Sequence, residues 1–406
     1  MPLVVQKYGG TSVGTAERIR AVAERVRRTR ESGYEVVVVV SAMGDTTDRL
    51  VELARSVAPE PDRRDYDLLL STGETQSTAL LSMALKAIGC PSISLAGAQL
   101  GIKTDRVYSR ARIMDIQPDR LKAELANGRC VIVPGFQGVT DEGDITTIGR
   151  GGSDTTAVAL ACALEAPKCE IYTDVDGVFT ADPRIVPTAR RLSSISYEEM
   201  LELAQMGARV MHPRAVELAE LYSLLVEVRS SFNDHPGTLI DRGDAMESRK
   251  HVRGIAHDTN VAKVTLAGVP DCPGLAHALF APLAEAGISV DVIVQAASIG
   301  GLAEISFTVS RADLNQAMQV VEKIAAETGA SVAHGTASLA KISIVGTGLQ
   351  SAPGYAARMF GTLAEHGINI DMITTSDIRI TCVIEESAVE EAVQALHTTF
   401  ELDKED

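Results

Sequence analysis

Tryptophan is absent and aromatic residues make up only 4% of the 406-residue chain, so any core must be filled by aliphatic side chains. That fits a helix-and-parallel-sheet protein and counts against an all-β sandwich. Cysteine is sparse: Cys90, Cys130, Cys162, Cys169, Cys272 and Cys382 are scattered, and no two form a C-x-x-C pair. Buried thiols in a reducing compartment are expected. Positive charge is short as well, with 38 basic against 54 acidic residues and a net charge of −16. Nucleic acid and anionic membrane surfaces are therefore not expected as partners. Long apolar runs are missing, the longest β-like one being residues 36–40, far too short to cross a bilayer. No basic stretch followed by an apolar one opens the chain, and a cytoplasmic enzyme is expected.

What is present is enough apolar material, 45% of the residues, for two to four domains. Over the first 240 or so residues, short β-branched runs (3–7, 35–41, 130–134, 169–173) alternate with helical patterns (16–30, 48–56, 155–164). This alternation predicts βαβ units and a mainly parallel sheet. A Pro-Gly- and charge-rich stretch over 234–253 follows, and a linker is read over 241–258, with a strand around 252–257 expected to be free to pair with the second module. Residues 273–293 and 353–373 then match at 11 of 21 positions at a constant offset of 80, an internal repeat. Both copies place Pro-Gly before a helix and Gly-Ile-x-φ-Asp after it, which predicts two small βαβ-type modules over 259–336 and 337–406.

Three segments carry chemistry. Lys7-Tyr8-Gly9-Gly10-Thr11-Ser12 joins a strand to a helix, where glycines let backbone amides approach an anion and Lys7 adds a full charge. A Gly-Gly pair there is also simply a tight turn, and no Walker-type loop occurs in the chain. Gly149-Arg150-Gly151-Gly152-Ser153-Asp154 opens an apolar helix. One helix cap would account for a single residue of it, but not for an arginine among three glycines, so a second anion site is expected, with Arg150 taking a carboxylate. The run from Thr173 to Arg184 follows a strand at the end where open α/β sheets hold ligands; otherwise it is a pair of Asp-Gly and Asp-Pro turns.

These three segments, together with Ser41-Ala42-Met43-Gly44, Ser71-Thr72-Gly73-Glu74 and Met206-Gly207-Ala208-Arg209-Val210-Met211-His212-Pro213, resemble the aspartate kinase family in order and spacing over essentially the whole chain. The resemblance implies an amino-acid-kinase αβα sandwich on a mainly parallel sheet over 1–240, followed by two ferredoxin-like βαββαβ ACT modules. It also implies transfer of the γ-phosphoryl of ATP, carried with Mg2+, to the side-chain carboxylate of L-aspartate, the first step towards lysine, threonine and methionine. No protein ligand set for the metal is implied. By the resemblance, Lys7 and Asp154 are catalytic; Lys7, Tyr8, Gly9, Gly10, Ser12, Thr173, Asp174, Phe179, Asp182, Arg184 and Arg209 line the nucleotide site; and Ser41, Thr47, Glu74, Arg150, Gly151, Gly152 and Ser153 hold aspartate.

The resemblance further implies feedback by an end-product amino acid, threonine first and lysine second. Its contacts would be Asp271, Gly274, Leu275, Ala276, Asp291 and Gln295 in the first module, and Tyr355, Ala356, Asn369, Ile370, Ser376 and Asp377 in the second. Ser289 and Ala296 stand where the family commonly has asparagine, which removes amides suited to an amino acid's polar groups. The modules imply a homo-oligomer, and relatives that start a separate regulatory subunit internally make Met246 a candidate start. The rival readings are another amino-acid kinase of the glutamate type and a non-catalytic amino-acid sensor built on the repeats.

Overall fold

A computed structural model of the protein describes residues 1–208, 210–243, 251–349 and 353–404; Arg209, Met246 and the charged run 247–250 lie outside the described residues. Two compact units emerge: Met1–Val178 with Arg191–Ala204 and 210–243, and Phe179–Arg190 with Gln205–Ala208 and 251–404.

In the first unit the chain runs β1 (Leu3–Tyr8), α1 (Ala16–Glu31), β2 (Glu35–Val40), α2 (Thr46–Val57), α3 (Arg63–Ala87), β3 (Ser92–Ser94), β4 (Ile102–Thr104), β5 (Ile113–Ile116) and α4 (Asp119–Ala126). It continues through β6 (Cys130–Pro134), β7 (Gln137–Val139), β8 (Ile145–Thr147), α5 (Gly152–Ala163), β9 (Lys168–Thr173), β10 (Ser194–Ser196), α6 (Tyr197–Gln205), α7 (Pro213–Tyr222), β11 (Leu225–Ser230) and β12 (Thr238–Asp241). Eight strands form the main sheet in the order β10-β12-β11-β9-β1-β2-β6-β3. Every neighbouring pair in it is parallel except β11 with β12. β2 reads Glu-Val-Val-Val-Val-Val because it is central and covered on both faces. Its Val36, Val38 and Val40 meet Ile19, Val22 and Val26 of α1 and Leu81 and Leu85 of α3, while α5 packs on β1, β2 and β9. The layers are thus the αβα sandwich expected from the sequence. A second sheet, β5-β4-β7-β8, has β8 packed along α3.

In the second unit the elements are β13 (Gly254–Pro270), α8 (Leu275–Glu285), β14 (Ile293–Ile299), β15 (Leu302–Val309), α9 (Leu314–Thr328), β16 (Val332–Val345), α10 (Tyr355–Glu365), β17 (Met372–Ser376), β18 (Arg379–Glu385) and α11 (Val389–Thr399). One antiparallel sheet in the order β14-β15-β13-β16-β18-β17 serves both modules. The long strands β13 and β16 are shared: Gly254–Asp258 pairs with Lys341–Val345, in register Gly254↔Val345 to Asp258↔Lys341, and later residues of β13 pair with β15. The first module is β13-α8-β14-β15-α9-β16, the βαββαβ order. In the second, the start of β13 supplies the outer partner that β16-α10-β17-β18-α11 lacks. Gly274 and Gly354 cap α8 and α10 at equivalent positions of the repeat.

Each module has its own core, one around Leu279, Leu283, Ile305 and Phe307, the other around Ile342, Met359, Leu363 and Leu396. The second also takes in Ala181 and Val186 from Phe179–Arg190, and there the Thr180 Oγ1 lies 3.0 Å from His397 Nε2. Leu279 is fully buried, whereas Leu302 on β15 is 49% exposed. Leu279→Ala should cost about 2–5 kcal/mol of stability and Leu302→Ala no more than about 0.5 kcal/mol. Urea unfolding followed by circular dichroism will separate the two, and equal midpoint shifts would contradict this core assignment.

Candidate active site

The site is built where β1, β2 and β9 end. After Tyr8 the chain turns through a short 3-10 turn, Gly10–Val13, before α1. The Gly9 N–H donates to Tyr172 O at 3.1 Å and the Ser41 N–H to Tyr8 O at 3.0 Å, so the turn is hung from both neighbouring strands. Gly10 must be glycine because a Cβ there would lie 2.9 Å from the carbonyl oxygen of Ala42. Ser12 donates from its hydroxyl to that of Ser231 at 2.8 Å. The ring of Tyr8 is fully buried, stacked on Tyr172 with centroids 4.7 Å apart, so only its main chain is available to a phosphate. Thr173, half-buried, donates to exposed Asp174 at 3.2 Å at the end of β9.

Opposite the glycine turn, α5 starts from Gly151, whose φ of +69° belongs to the left-handed region. A Cβ on it would lie 2.1 Å from the His212 ring. The first turn of α5 delivers Ser153 and Asp154 into the interior. Asp154 Oδ1 and Lys7 Nζ form an ion pair at 2.7 Å, with the two side chains only 11% and 12% exposed. Oδ2 of the same carboxylate accepts the backbone N–H of His212 at 3.2 Å.

From α3, Glu74 closes the floor: its Oε1 accepts the Ser153 hydroxyl at 2.7 Å, while Oε2 is buried and without a partner among the described residues. Burial pushes the Glu74 carboxyl up to about 8, against the opposing pull of Ser153, Lys7 and the main chain of Gly135 and Ala42. Half-buried Ser41 and Thr47 lie between β2 and the first turn of α2, and Arg150 is exposed just ahead of α5.

His212 was not singled out from the sequence as a site residue. Its ring packs against Gly151, its Nδ1 accepts the Arg214 N–H at 3.3 Å, and burial lowers its pKa. The available signal was its place directly before Pro213, the N-cap of α7.

Phe179, Asp182 and Arg184 belong to the second unit. There Arg184 holds the Asp182 carboxylate through Nη2 at 2.7 Å, Nε at 3.0 Å and its own N–H at 2.9 Å, which keeps that carboxyl below its usual range. Of the residues expected at an effector, Leu275 is core, while Asp271, Ala276, Gln295, Asn369 and Asp377 are exposed. Asp291 is ion-paired with Lys341, and Tyr355 stacks on Phe400. Half-buried Ala356, Ile370 and Ser376 lie nearby in sequence on the second copy.

The profile of the amino acid kinase family matches residues 2–230, and that of the ACT domain matches 264–324 and 342–400. An aspartate kinase of Stutzerimonas stutzeri is 51% identical over 405 residues, covering 99% of this chain and 98% of that protein. The chain belongs to the aspartokinase family. The crystal structure of E. coli aspartokinase III in complex with aspartate and ADP superposes with a TM-score of 0.85 at 27% identity, covering 98% of this chain and 99% of that one. The same E. coli enzyme in complex with lysine and aspartate gives a TM-score of 0.74 at the same coverage. The expected fold, αβα kinase sandwich then tandem ACT modules, is therefore that of the family. No helix among the described residues is long and apolar enough to cross a membrane.

A buried acid with a raised pKa sets a sign for stability. An unfolded chain releases the Glu74 proton near 4.5, the folded protein only near 8. Stability from this group is present below pH 4.5 and drains away as pH rises through 8. Glu74→Gln lacks that loss, so the melting temperature of the wild type should fall relative to the variant between pH 5 and pH 8. Scanning calorimetry giving a pH-independent difference would place Glu74 in water.

Proposed function

We propose that the chain transfers the γ-phosphoryl of ATP to the side-chain carboxylate of L-aspartate, with the glycine turn after β1 holding the nucleotide phosphates and the start of α5 holding the amino acid. The observation that carries this reading is the buried Lys7–Asp154–Glu74–Ser153 cluster, which joins a glycine turn after a strand to a glycine-led helix start. Support for the ligands comes from the aspartate and ADP bound in the E. coli enzyme. Phosphoryl transfer requires little covalent work from a protein, so alignment and charge stabilisation supply most of the rate.

In this reading Lys7 neutralises charge on the transferring group, and Asp154 keeps the Lys7 ammonium in place. Magnesium carried with ATP would supply further charge neutralisation at the phosphates, beside the Lys7 ammonium. The aspartate carboxylate, with an ordinary pKa of about 3.9, is already ionised and needs no strong base. Arg150 takes the α-carboxylate as a two-pronged donor. Glu74 takes the α-ammonium, and an ammonium beside Oε2 reverses the desolvation penalty and draws the proton off the acid. Ser41, Thr47, Gly151, Gly152 and Ser153 complete the aspartate pocket, and Ser12, Thr173, Asp174 and Arg209 the nucleotide pocket. The ACT modules would read threonine first and lysine second, the latter favoured by the lysine complex of the E. coli enzyme, and would join copies of the chain.

Coupled assays of ADP release with aspartate, glutamate, acetylglutamate and carbamate test the reaction; turnover with aspartate alone is expected. Lys7→Ala should fold normally and lose about 10²–10³ in turnover, as removal of a preorganised charge contact does. Near-normal turnover in that variant would remove Lys7 from the mechanism, and preference for glutamate would turn the assignment to a glutamate-type kinase.

A further inference from the structure

Asp67 lies on α3 seven residues before Glu74, two helical turns or about 10 Å along the same helix. Its side chain is fully buried. No cation pairs with it among the described residues; instead four donors surround the carboxylate. Oδ2 accepts the backbone N–H groups of Ser109 at 2.8 Å and Thr147 at 2.7 Å, and Oδ1 accepts their hydroxyls at 3.0 and 2.9 Å. A buried carboxyl group is tolerated only where its polar atoms are this fully met. Each donor belongs to a segment that borders Arg150. Thr147 ends β8, three residues before Arg150. Ser109 holds a left-handed backbone, φ 67°, rare for a residue with a side chain, and its carbonyl would lie 3.0 Å from a Cβ on Gly149. The same two segments are joined by Ala111 N–H to Thr147 O at 2.9 Å and by Arg214, which donates to Ile148 O at 3.1 Å and Ala111 O at 3.3 Å.

We infer that Asp67 is a positioning residue for aspartate binding: it locks the loop carrying Arg150 to the helix carrying Glu74, fixing the spacing between the groups that take the α-carboxylate and the α-ammonium. The inference rests on the aspartate kinase reading above. Its logic is that one rigid helix sets both ends of an amino acid. An outer brace, Arg64 and Tyr108 on Asp144, spans the same two elements, but Arg64 is exposed and the brace is only partly shielded from water. The inner one is dry and meets every donor.

Substitutions separate positioning from mere folding. Asp67→Ala should raise the KM for aspartate roughly 10- to 100-fold, the cost of a displaced binding group, and leave the KM for ATP within about two-fold. Asp67→Asn should restore most of the loss. Its amide oxygen can accept both N–H groups while its NH2 donates to the two hydroxyl oxygens, which can turn round as peptide groups cannot. Because Asp67 acts through Arg150, Asp67→Ala should add almost nothing in an Arg150→Ala background, a coupling that independent sites do not give. Should Asp67→Ala fail to fold, Ser109→Ala with Thr147→Val removes only the two hydroxyl donors and should move the same KM in the same direction by a smaller factor. Equal rises in both KM values, no rescue by asparagine, or full additivity with Arg150→Ala would overturn the inference while leaving the kinase reading intact. An Arg150→Ala enzyme with an unchanged KM for aspartate would overturn the inference together with the role given to Arg150, and absence of turnover with aspartate in the wild type would overturn the kinase reading.

Discussion

Three ionisable groups, Lys7, Asp154 and Glu74, share a floor nearly closed to water, and the charge balance among them constrains the rest of the kinase unit. One cation and one carboxylate pair off. A second carboxylate has no counter-ion left, so burial holds its proton on. In the proposed reading, an α-ammonium beside Glu74 would displace that proton. Preference for an α-amino acid would, on that reading, follow from a missing positive charge as much as from any contact present. The cost is local: an unpartnered Oε2 and an ion pair held largely out of water are poor contributors to stability, and the aliphatic layers on both faces of β2 compensate.

The scaffold explains why these groups meet. Lys7 comes from the interior of the sheet, next to the end of its central strand, Asp154 from the first turn of a helix, Glu74 from the middle of another. The helix start is possible only because Gly151 takes a left-handed backbone and lies against His212, whose own N–H binds Asp154. One residue thus serves as packing surface for the turn and as donor to the carboxylate the turn presents. α5 is apolar on all sides because sheet, α7 and the smaller sheet surround it, and an enclosed helix gives its N-terminal groups little freedom to move.

Much of this was legible in the residues. Alternating β-branched and helical patterns gave the parallel sheet, and the 80-residue offset gave two modules. Lys7 beside Gly9-Gly10, and Arg150 among glycines, marked the two glycine turns that border the Lys7–Asp154 pair, because glycine where a side chain would clash is a local signature. Other features were invisible for physical reasons. Asp67 and Thr147 are 80 residues apart and nothing in either neighbourhood announces the other. The burial of the Tyr8 ring depends on Tyr172, which no pattern around Tyr8 encodes. The run from Thr173 to Arg184 read as one loop of the kinase domain, yet Phe179–Arg190 belongs to the second unit, where Ala181 and Val186 are core residues. Short apolar segments carry no mark of which core they fill. That a strand around 252–257 would join the second module was expected, but its antiparallel register with β16 is something the hydrophobic pattern of a central strand leaves open.

The two ACT copies show how far a repeat can diverge while keeping its fold. Lys263 of β13 reaches Asp371 at 2.8 Å, and Lys341 of β16 reaches Asp291, so each copy's strand lysine holds the aspartate that ends the other copy's Gly-Ile-x-φ-Asp motif. That reciprocal pairing is a property of the shared sheet and accounts for both aspartates without any ligand. Asp291, with Lys341 beside it, therefore has a structural duty whatever else binds there. Around it the copies part company: Ser289 faces the repeat position of Asn369, and Ala296 that of Ser376. Backbone geometry, caps and ion pairs have stayed equivalent while the polar side chains next to them have not. The ammonium and carboxylate of an amino acid, and any polar group on its side chain, must each find a partner once desolvated. Two loops on one scaffold with unequal donor sets would not bind such a ligand equally, so the symmetry of the fold does not extend to its side-chain chemistry.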